Sequence, residues 1–278
     1  MSASGRARGT SQVREWLKRH TSPRTREGLR RLRVEIRIRA VDFLPDRLEA
    51  FRQRDSPLPP PNLRRRVAGT SSRKFFLRSG REALDDLLRV FSLSRDPTRT
   101  YPEWLDFGCG CGRVARHFSD VPEVRGVAGI DVDSEQIAWC RRHLAGDFQV
   151  ISPHPPTRLS SAAFDVVYAG SVFTHLDEEP QHAWLRELHR LLKPGGRLIA
   201  STHGPSLIWA RPDLGDEQRA RLASPGFLFA SGRGSFNEDT AFHSREYLLA
   251  SWGSLFGLLC FEELGLNRFQ DLHVWCKW

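Results

Sequence analysis

The chain has 278 residues, of which 40% are hydrophobic and 27% charged, and it carries a formal net charge of +9. This length allows one large domain, or one domain with an appendage, around an ordinary globular core. No run of 18 apolar residues and no apolar secretory segment at the N-terminus are present, so we expect neither a membrane span nor secretion. The five cysteines have irregular spacing, which is typical of reduced thiols and favours a cytoplasmic protein.

The positive charge belongs to the N-terminal part of the chain. Residues 1–80 hold 21 Lys and Arg against 7 acidic residues, whereas residues 81–278 hold 21 against 26. We therefore predict a basic N-terminal extension and lid over residues 1–80, followed by a mildly acidic domain over residues 81–278. Within the extension, the pattern predicts a strand near 31–39 and a helix near 43–51. A solvated tail explains residues 1–40 better than a polyanion-binding arm does, but a polyanion contact stays open.

A glycine turn follows the first predicted strand of the domain. A helix is expected over 81–91, then a strand at Glu103–Phe107, then glycines at alternate positions, and then a helix to Phe118. Glycine permits positive φ and lets a ligand approach the backbone closely. A dinucleotide-binding G-x-G-x-x-G pattern would require glycine where Arg113 stands, so the turn favours a different nucleotide ligand.

Strands and helices then alternate, which predicts a parallel sheet. The second, third, fourth and fifth strands are expected at 127–131, 148–151, 165–169 and 197–202. Ser134 is the expected cap of the helix 134–144, and a helix over 180–192 ends in a tight Lys193–Gly196 turn. A long insertion at 203–243 precedes a helix at 244–256 and two strands near 258–264 and 272–278.

The motifs resemble class I S-adenosylmethionine (SAM)-dependent methyltransferases of the small-molecule type. The resemblance covers about residues 104–204. It is carried by D-x-G-x-G-x-G from Asp106, by Asp131 at the end of the second strand, by FDVVYAGSVFTHL, and by LHRLLKPGGRLIAST. It implies a Rossmann-like α/β fold with a seven-stranded, mostly parallel sheet, helices on both faces, an antiparallel last strand, and residues 203–243 as an acceptor-side cap.

The resemblance also implies the cofactor, SAM, with S-adenosylhomocysteine as product. The glycine turn would pass beside the amino-acid part of the cofactor, and Asp131 would hold the ribose hydroxyls. The implied cofactor-binding residues are Asp106, Gly108, Gly110, Gly112, Asp131 and Ser171. Relatives also carry an acid after the third strand for the adenine amine, whereas this chain has Ser152 there.

Two histidines follow strands whose ends face the ligand, and imidazole titrates near neutrality. We predict His175 as a general base and His203 as a second candidate, with a structural role for His175 as the alternative. The expected reaction is in-line methyl transfer to a hydroxyl of a small-molecule acceptor, with an amine as the second choice. No metal is expected, since Cys109-x-Cys111 lacks the usual ligand spacing.

Two other functions remain open from the residues alone. The basic N-terminus is compatible with an RNA- or polyanion-directed methyltransferase. The missing acid after the third strand is compatible with a non-catalytic partner protein that keeps the fold. The sequence does not specify the oligomeric state.

Overall fold

A computed structural model describes residues 57–210, 214–223, 226–231 and 239–278. The predicted strand near 31–39, the helix near 43–51 and the basic arm 1–40 lie outside these residues. Residues Leu58–Trp278 form one compact unit. Its helices are α1 Pro61–Ala68, α2 Arg73–Ser94, α3 Ser134–His143, α4 Glu178–Leu191, α5 Asp216–Ala223 and α6 Arg245–Ser251. Its strands are β1 Glu103–Phe107, β2 Gly126–Asp131, β3 Asp147–Val150, β4 Phe164–Ala169, β5 Leu192–Thr202, β6 Phe227–Ala230, β7 Thr240–His243, β8 Phe256–Leu266 and β9 Gln270–Lys277.

Seven strands form one sheet in the order β3-β2-β1-β4-β5-β9-β8. The first five are parallel to one another, and β9 lies antiparallel between β5 and β8. The predicted seven-stranded, mostly parallel sheet is therefore confirmed. The strands β6 and β7 form a separate antiparallel pair within the segment 203–243.

Helices cover both faces of the sheet, and β4 shows why. All six of its residues are buried, as expected for a strand with no face toward water. Val166 and Tyr168 join a core with side chains of α2 and α3, whereas Val167 and Ala169 join a core with side chains of α4 and α6. The alternation of successive side chains along a strand therefore divides the hydrophobic residues between two cores.

Three local predictions were wrong. Asp133, not Ser134, caps α3, since its Oδ1 accepts from the backbone N–H groups of Glu135 and Gln136 at 3.0 and 3.2 Å. The segment after the glycine turn is a short 3-10 helix, Ala115–Asp120. The expected turn at 193–196 belongs to β5, which contains an irregularity there with Gly195 at φ +71°.

The helix α2 is much longer than the predicted 81–91 and runs through the predicted domain division after residue 80. Ser72 begins it by accepting from the backbone N–H of Phe75 at 3.2 Å. Among the described residues, no helix combines the length and apolar character needed to cross a bilayer.

Candidate active site

A cavity of about 400 Å³ opens at the carboxyl ends of the parallel strands, where ligands bind in sheets of this type. Six of the eight predicted site residues line it: Asp106, Gly108, Gly110, Asp131, Ser171 and His175. Gly112 and His203 are not part of the lining. The cavity also has walls that the sequence analysis did not assign, including Arg66 and Val67 of α1, Arg113, Tyr168 and Asp239.

The glycine turn needs its glycines for two different reasons. Gly108, Gly110 and Gly112 all have positive φ, at +74°, +55° and +72°, a region that side chains disfavour. A Cβ on Gly110 would also lie 2.6 Å from the Val67 side chain at the cavity wall. A Cβ on Gly112 would instead meet the side chains of Leu144 and Cys140. Gly110 therefore shapes the cavity, and Gly112 allows the turn to pack on α3.

Asp131 lies at the carboxyl end of β2 and is fixed by backbone donors. Its Oδ2 accepts from the N–H of Gly110 at 2.8 Å, and its Oδ1 accepts from the N–H of Asp133 at 2.9 Å. Burial raises the pKa of Asp131, and these two N–H groups lower it in part. The carboxylate thus joins the glycine turn to the start of α3 and lines the cavity.

The cavity has one polar end. Asp106 is buried there, and burial raises the pKa of its carboxyl to about 7, although nearby Arg113 lowers it and Asp131 raises it further. Three buried polar atoms at this end have no hydrogen-bond partner among the described residues: Arg113 Nε, Gln136 Oε1 and Tyr168 Oη. Buried polar groups are nearly always paired in proteins. This end is therefore suited to a polar, charged ligand group.

The cavity lining also has an apolar part, which includes Val132, Ile151, Pro153, Leu176 and Trp184. The Trp184 indole N–H is already used, because it donates to the carbonyl of Pro153 at 3.2 Å. A ligand that combines a charged group with a flat apolar ring system fits this mixed lining, and SAM has this character.

His175 lies at the cavity wall on a short 3-10 helix, Phe173–His175. Its Nδ1 lies 2.8 Å from the carbonyl oxygen of Asp239. A carbonyl oxygen only accepts, so Nδ1 carries the proton and Nε2 keeps a lone pair in the neutral ring. The segment before β7 therefore sets the tautomer of His175.

Gln181 of α4 holds the loop that carries His175, and sequence reasoning missed it. Its side-chain amide is fully buried. The amide Nε2 donates to the carbonyls of Phe173 and Leu176 at 3.2 and 2.8 Å. Its Oε1 lies 2.9 Å from His243 Nε2, which therefore donates. No local motif marks a glutamine of this kind, since its partner His243 lies 62 residues further along the chain.

Ser171 turns the chain out of β4 in a left-handed conformation, φ +61°, that is uncommon for a residue other than glycine. Its N–H donates to Ser201 Oγ at 2.8 Å, and its hydroxyl donates to Gln270 Oε1 at 3.0 Å. Gln270 also lies 3.3 Å from His203 through Nε2. The conformation of Ser171 is thus held by β5, through Ser201, and by β9, through Gln270.

His203 lies behind this network rather than at the cavity wall. Burial lowers the pKa of its imidazole to about 4, with a further lowering from nearby His175. His203 is therefore neutral at physiological pH. The backbone of His203 also anchors β7, because its carbonyl accepts from the N–H of His243 at 2.8 Å.

Within the described part of the chain, no group of three or more His, Cys, Asp or Glu side chains is placed to hold a metal ion. All five cysteines are free thiols. Burial raises the pKa of Cys111, inside the glycine turn, to about 12, so this thiol is protonated at neutral pH.

The strand order and the glycine turn with its facing aspartate define a class I methyltransferase fold. Residues 105–200 match the family described as "Methyltransferase domain". The matched segment contains the glycine turn and the strands β2, β3 and β4, and this part of the chain is similar to that family.

The chain is similar to two groups of curated proteins. It is 34% identical over 110 residues to a malonyl-[acyl-carrier protein] O-methyltransferase from Enterobacter lignolyticus, covering 40% of this chain and 42% of the relative. It is 32% identical over 105 residues to a ubiquinone biosynthesis O-methyltransferase from Pseudomonas aeruginosa, covering 35% and 43%. The chain thus spans less than half the length of the curated relatives it matches.

Solved structures show the same fold at low identity. A SAM-dependent methyltransferase from Clostridium acetobutylicum superposes with a TM-score of 0.52 at 11% identity, covering 71% of this chain and 91% of the other. The 1,6-didemethyltoxoflavin-N1-methyltransferase from Burkholderia thailandensis superposes with a TM-score of 0.51 at 16% identity, covering 80% and 92%.

Proposed function

We propose that this protein is a SAM-dependent methyltransferase that transfers a methyl group, in line, to a hydroxyl oxygen of a small molecule. One observation carries the proposal: a single cavity joins the glycine turn, the Asp131 carboxylate and the His175 imidazole. Its volume of about 400 Å³ is in the range of small-molecule sites. The similarity to O-methyltransferases supports oxygen as the acceptor atom.

The residues that line the cavity would hold SAM and the acceptor, and one of them would accept the proton of the acceptor hydroxyl. When bound, SAM supplies an already activated methyl group, so the protein's main task is to place the acceptor and exclude water. Positioning of this kind lowers a barrier by roughly 7–11 kcal/mol. Asp106, Asp131 and His175 all line the cavity. The methyl acceptor would therefore lie between the glycine turn and His175.

His175 is the proposed base. Asp239 fixes the proton on Nδ1, which leaves the Nε2 lone pair for the acceptor hydroxyl. Positioned bases contribute about 10²–10⁴-fold to rates. His203 is the weaker candidate, because it does not line the cavity and its low pKa makes it a poor proton acceptor at neutral pH.

A carboxylate acceptor is a second candidate, favoured by the similarity to malonyl-[acyl-carrier protein] O-methyltransferases. A carboxylate is already ionised at neutral pH and needs no general base. Turnover of a hydroxyl acceptor should therefore depend on His175, whereas turnover of a carboxylate acceptor should not. One experiment on a His175 variant distinguishes the two acceptor classes.

The test combines methyl transfer with binding. Transfer from SAM labelled in the methyl group is measured on a panel of phenols, aliphatic alcohols and acyl-thioester carboxylates. For a hydroxyl acceptor, His175→Asn should lower turnover by about 10²–10⁴-fold while the affinity for S-adenosylhomocysteine stays within about threefold.

A matched control is His182→Asn, which changes a histidine of α4 that bonds Ser251 outside the cavity lining. Turnover in this variant should stay within about twofold. Loss of turnover that is equal in the two variants would remove His175 as the base. Wild-type protein that binds neither SAM nor S-adenosylhomocysteine would contradict the proposed function itself.

A further inference from the structure

We propose that Tyr168 and Arg113 bind the carboxylate of the cofactor's amino-acid group, while Asp106 and Gln136 face its ammonium. This assignment rests on the proposed function and names the residues that recognise one half of its cofactor. Tyr168 lies within FDVVYAGSVFTHL and Arg113 directly follows D-x-G-x-G-x-G, whereas Gln136 belongs to neither motif. Of the four residues, only Asp106 was predicted to bind the cofactor.

Tyr168 presents a buried hydroxyl to the cavity. It stands opposite Asp106 in the β1–β4 register, is 2% exposed and lines the cavity. Its hydroxyl has no partner among the described residues. The hydroxyl also lies against Gly170, where a Cβ would overlap it. A hydroxyl held in this way can donate to a ligand without breaking an existing bond.

Arg113 presents a buried N–H beside it. One terminal nitrogen donates to the carbonyl of Ser79 in α2 at 3.0 Å, which fixes the guanidinium. Gly80 allows this packing, because a Cβ there would overlap the Arg113 carbonyl. The Nε–H has no partner in the described part of the chain. Tyr168 and Arg113 together thus offer two donors, one of them charged.

Gln136 and Asp106 offer acceptors at the same end. The Gln136 Nε2 donates to Asp133 Oδ2 at 2.9 Å, which orients the amide and leaves its Oε1 buried without a described partner. A Cβ on Gly110 would lie 2.9 Å from this Oε1, so the oxygen borders the glycine turn. Two donors and two acceptors complement a carboxylate and an ammonium, the two charges of an α-amino acid.

The decisive variant is Tyr168→Phe, tested against two ligands that differ in one group. The ligands are S-adenosylhomocysteine and 5′-(3-aminopropylthio)-5′-deoxyadenosine, which lacks only the carboxylate. Calorimetry should show S-adenosylhomocysteine bound about tenfold or more weakly by the variant, with the affinity for the second ligand unchanged. The thermal midpoint without ligand should stay the same or rise, because the removed hydroxyl has no partner in the protein.

Tyr101→Phe is the matched control. Tyr101 is also buried, but its hydroxyl accepts from the N–H of Asp96 and it does not line the cavity. This variant should bind both ligands as the wild type does. Arg113→Met provides a second variant and should weaken S-adenosylhomocysteine selectively in the same way.

Unchanged affinity for S-adenosylhomocysteine in Tyr168→Phe, or equal weakening of both ligands, would overturn the assignment while leaving the proposed function intact. Wild-type protein that binds neither ligand would overturn both. A wild type that binds the two ligands equally well would show that the carboxylate is not recognised, and would overturn the assignment alone.

Discussion

The two sides of the cavity are built in different ways. On the donor side, meaning the glycine turn and Asp131, two hydrogen bonds join residues 21 and 2 positions apart: Gly110 with Asp131 and Asp131 with Asp133. On the acceptor side, meaning the loop after β4 and the segments that bond to it, hydrogen bonds join distant residues: His175 with Asp239, Gln181 with His243, and Ser171 with Gln270. Changes on the donor side should therefore act on ligand affinity, whereas changes on the acceptor side should also act on the stability of the fold.

The largest effect is expected from Gly110→Arg. The side chain would enter the cavity against Val67 and Gln136, and binding of S-adenosylhomocysteine should fall by at least about 10³-fold, a loss of about 4 kcal/mol. Calorimetry measures the affinity.

Gly69→Arg is the control for backbone strain, because Gly69 has a similar φ of +68° with open space around its Cα. It should keep the wild-type affinity within about threefold. Equal losses in the two variants would show that strain, rather than entry into the cavity, disrupts the site.

The next effect concerns the acceptor side and is expected from Gln181→Leu. The change leaves the carbonyls of Phe173 and Leu176 and the ring N–H of His243 without their partner. Each buried unsatisfied group costs about 1–3 kcal/mol. Urea unfolding should show a loss of at least about 2 kcal/mol, with affinity for S-adenosylhomocysteine nearly unchanged.

Gln149→Leu is the control, since its amide bonds Asp147 at an exposed position. Its free energy of unfolding should change by no more than about 0.5 kcal/mol. A Gln181→Leu protein as stable as this control would contradict the role of the buried amide.

The smallest effect is a pH dependence on the donor side. Burial raises the pKa of Asp106 to about 7 in the protein without ligand, and a bound ammonium favours the ionised carboxylate. Binding should then release a proton below pH 7, so affinity should fall as the pH decreases, by at most about tenfold per pH unit. Asp131, whose pKa burial also raises, contributes in the same direction.

Asp106→Asn isolates the share of Asp106. Affinity in the variant should be lower at pH 8 and should depend less on pH than in the wild type. Because the pKa of Asp106 is higher folded than unfolded, the ligand-free wild type should lose stability as the pH rises from about 4 to 7. The variant should lack the part of this stability loss that comes from Asp106. If the affinity for S-adenosylhomocysteine depended on pH identically in the two proteins, the assignment of Asp106 to the ammonium would be contradicted.

The same contrast explains what the sequence could predict. The strands of the sheet, the glycine turn and Asp131 depend on local patterns of apolar residues and glycine, and they were predicted at nearly their observed positions. The cap of α3 was missed by one residue because Asp133 and Ser134 are both good capping residues, and only the geometry shows that Asp133 accepts the bonds.

The partner of His175 could not be predicted, because Asp239 lies 64 residues further along the chain. Tyr168 was also missed. It lies in a strand whose residues are all buried, and an inward-facing tyrosine there has the same pattern as an ordinary core residue. Tyr168 differs from an ordinary core residue because its hydroxyl has no hydrogen-bond partner among the described residues. That property depends on the tertiary positions of the neighbouring side chains.

The segment before the sheet has a practical consequence. Arg66 forms ion pairs with Asp133 and Glu135, and Val67 stands at the wall beside Gly110. At the other end of the chain, β9 supplies Gln270 and completes the sheet next to β5. A fragment trimmed to residues 105–200 would lack both parts, so a recombinant version made to capture nucleosides should begin before α1 and extend through β9.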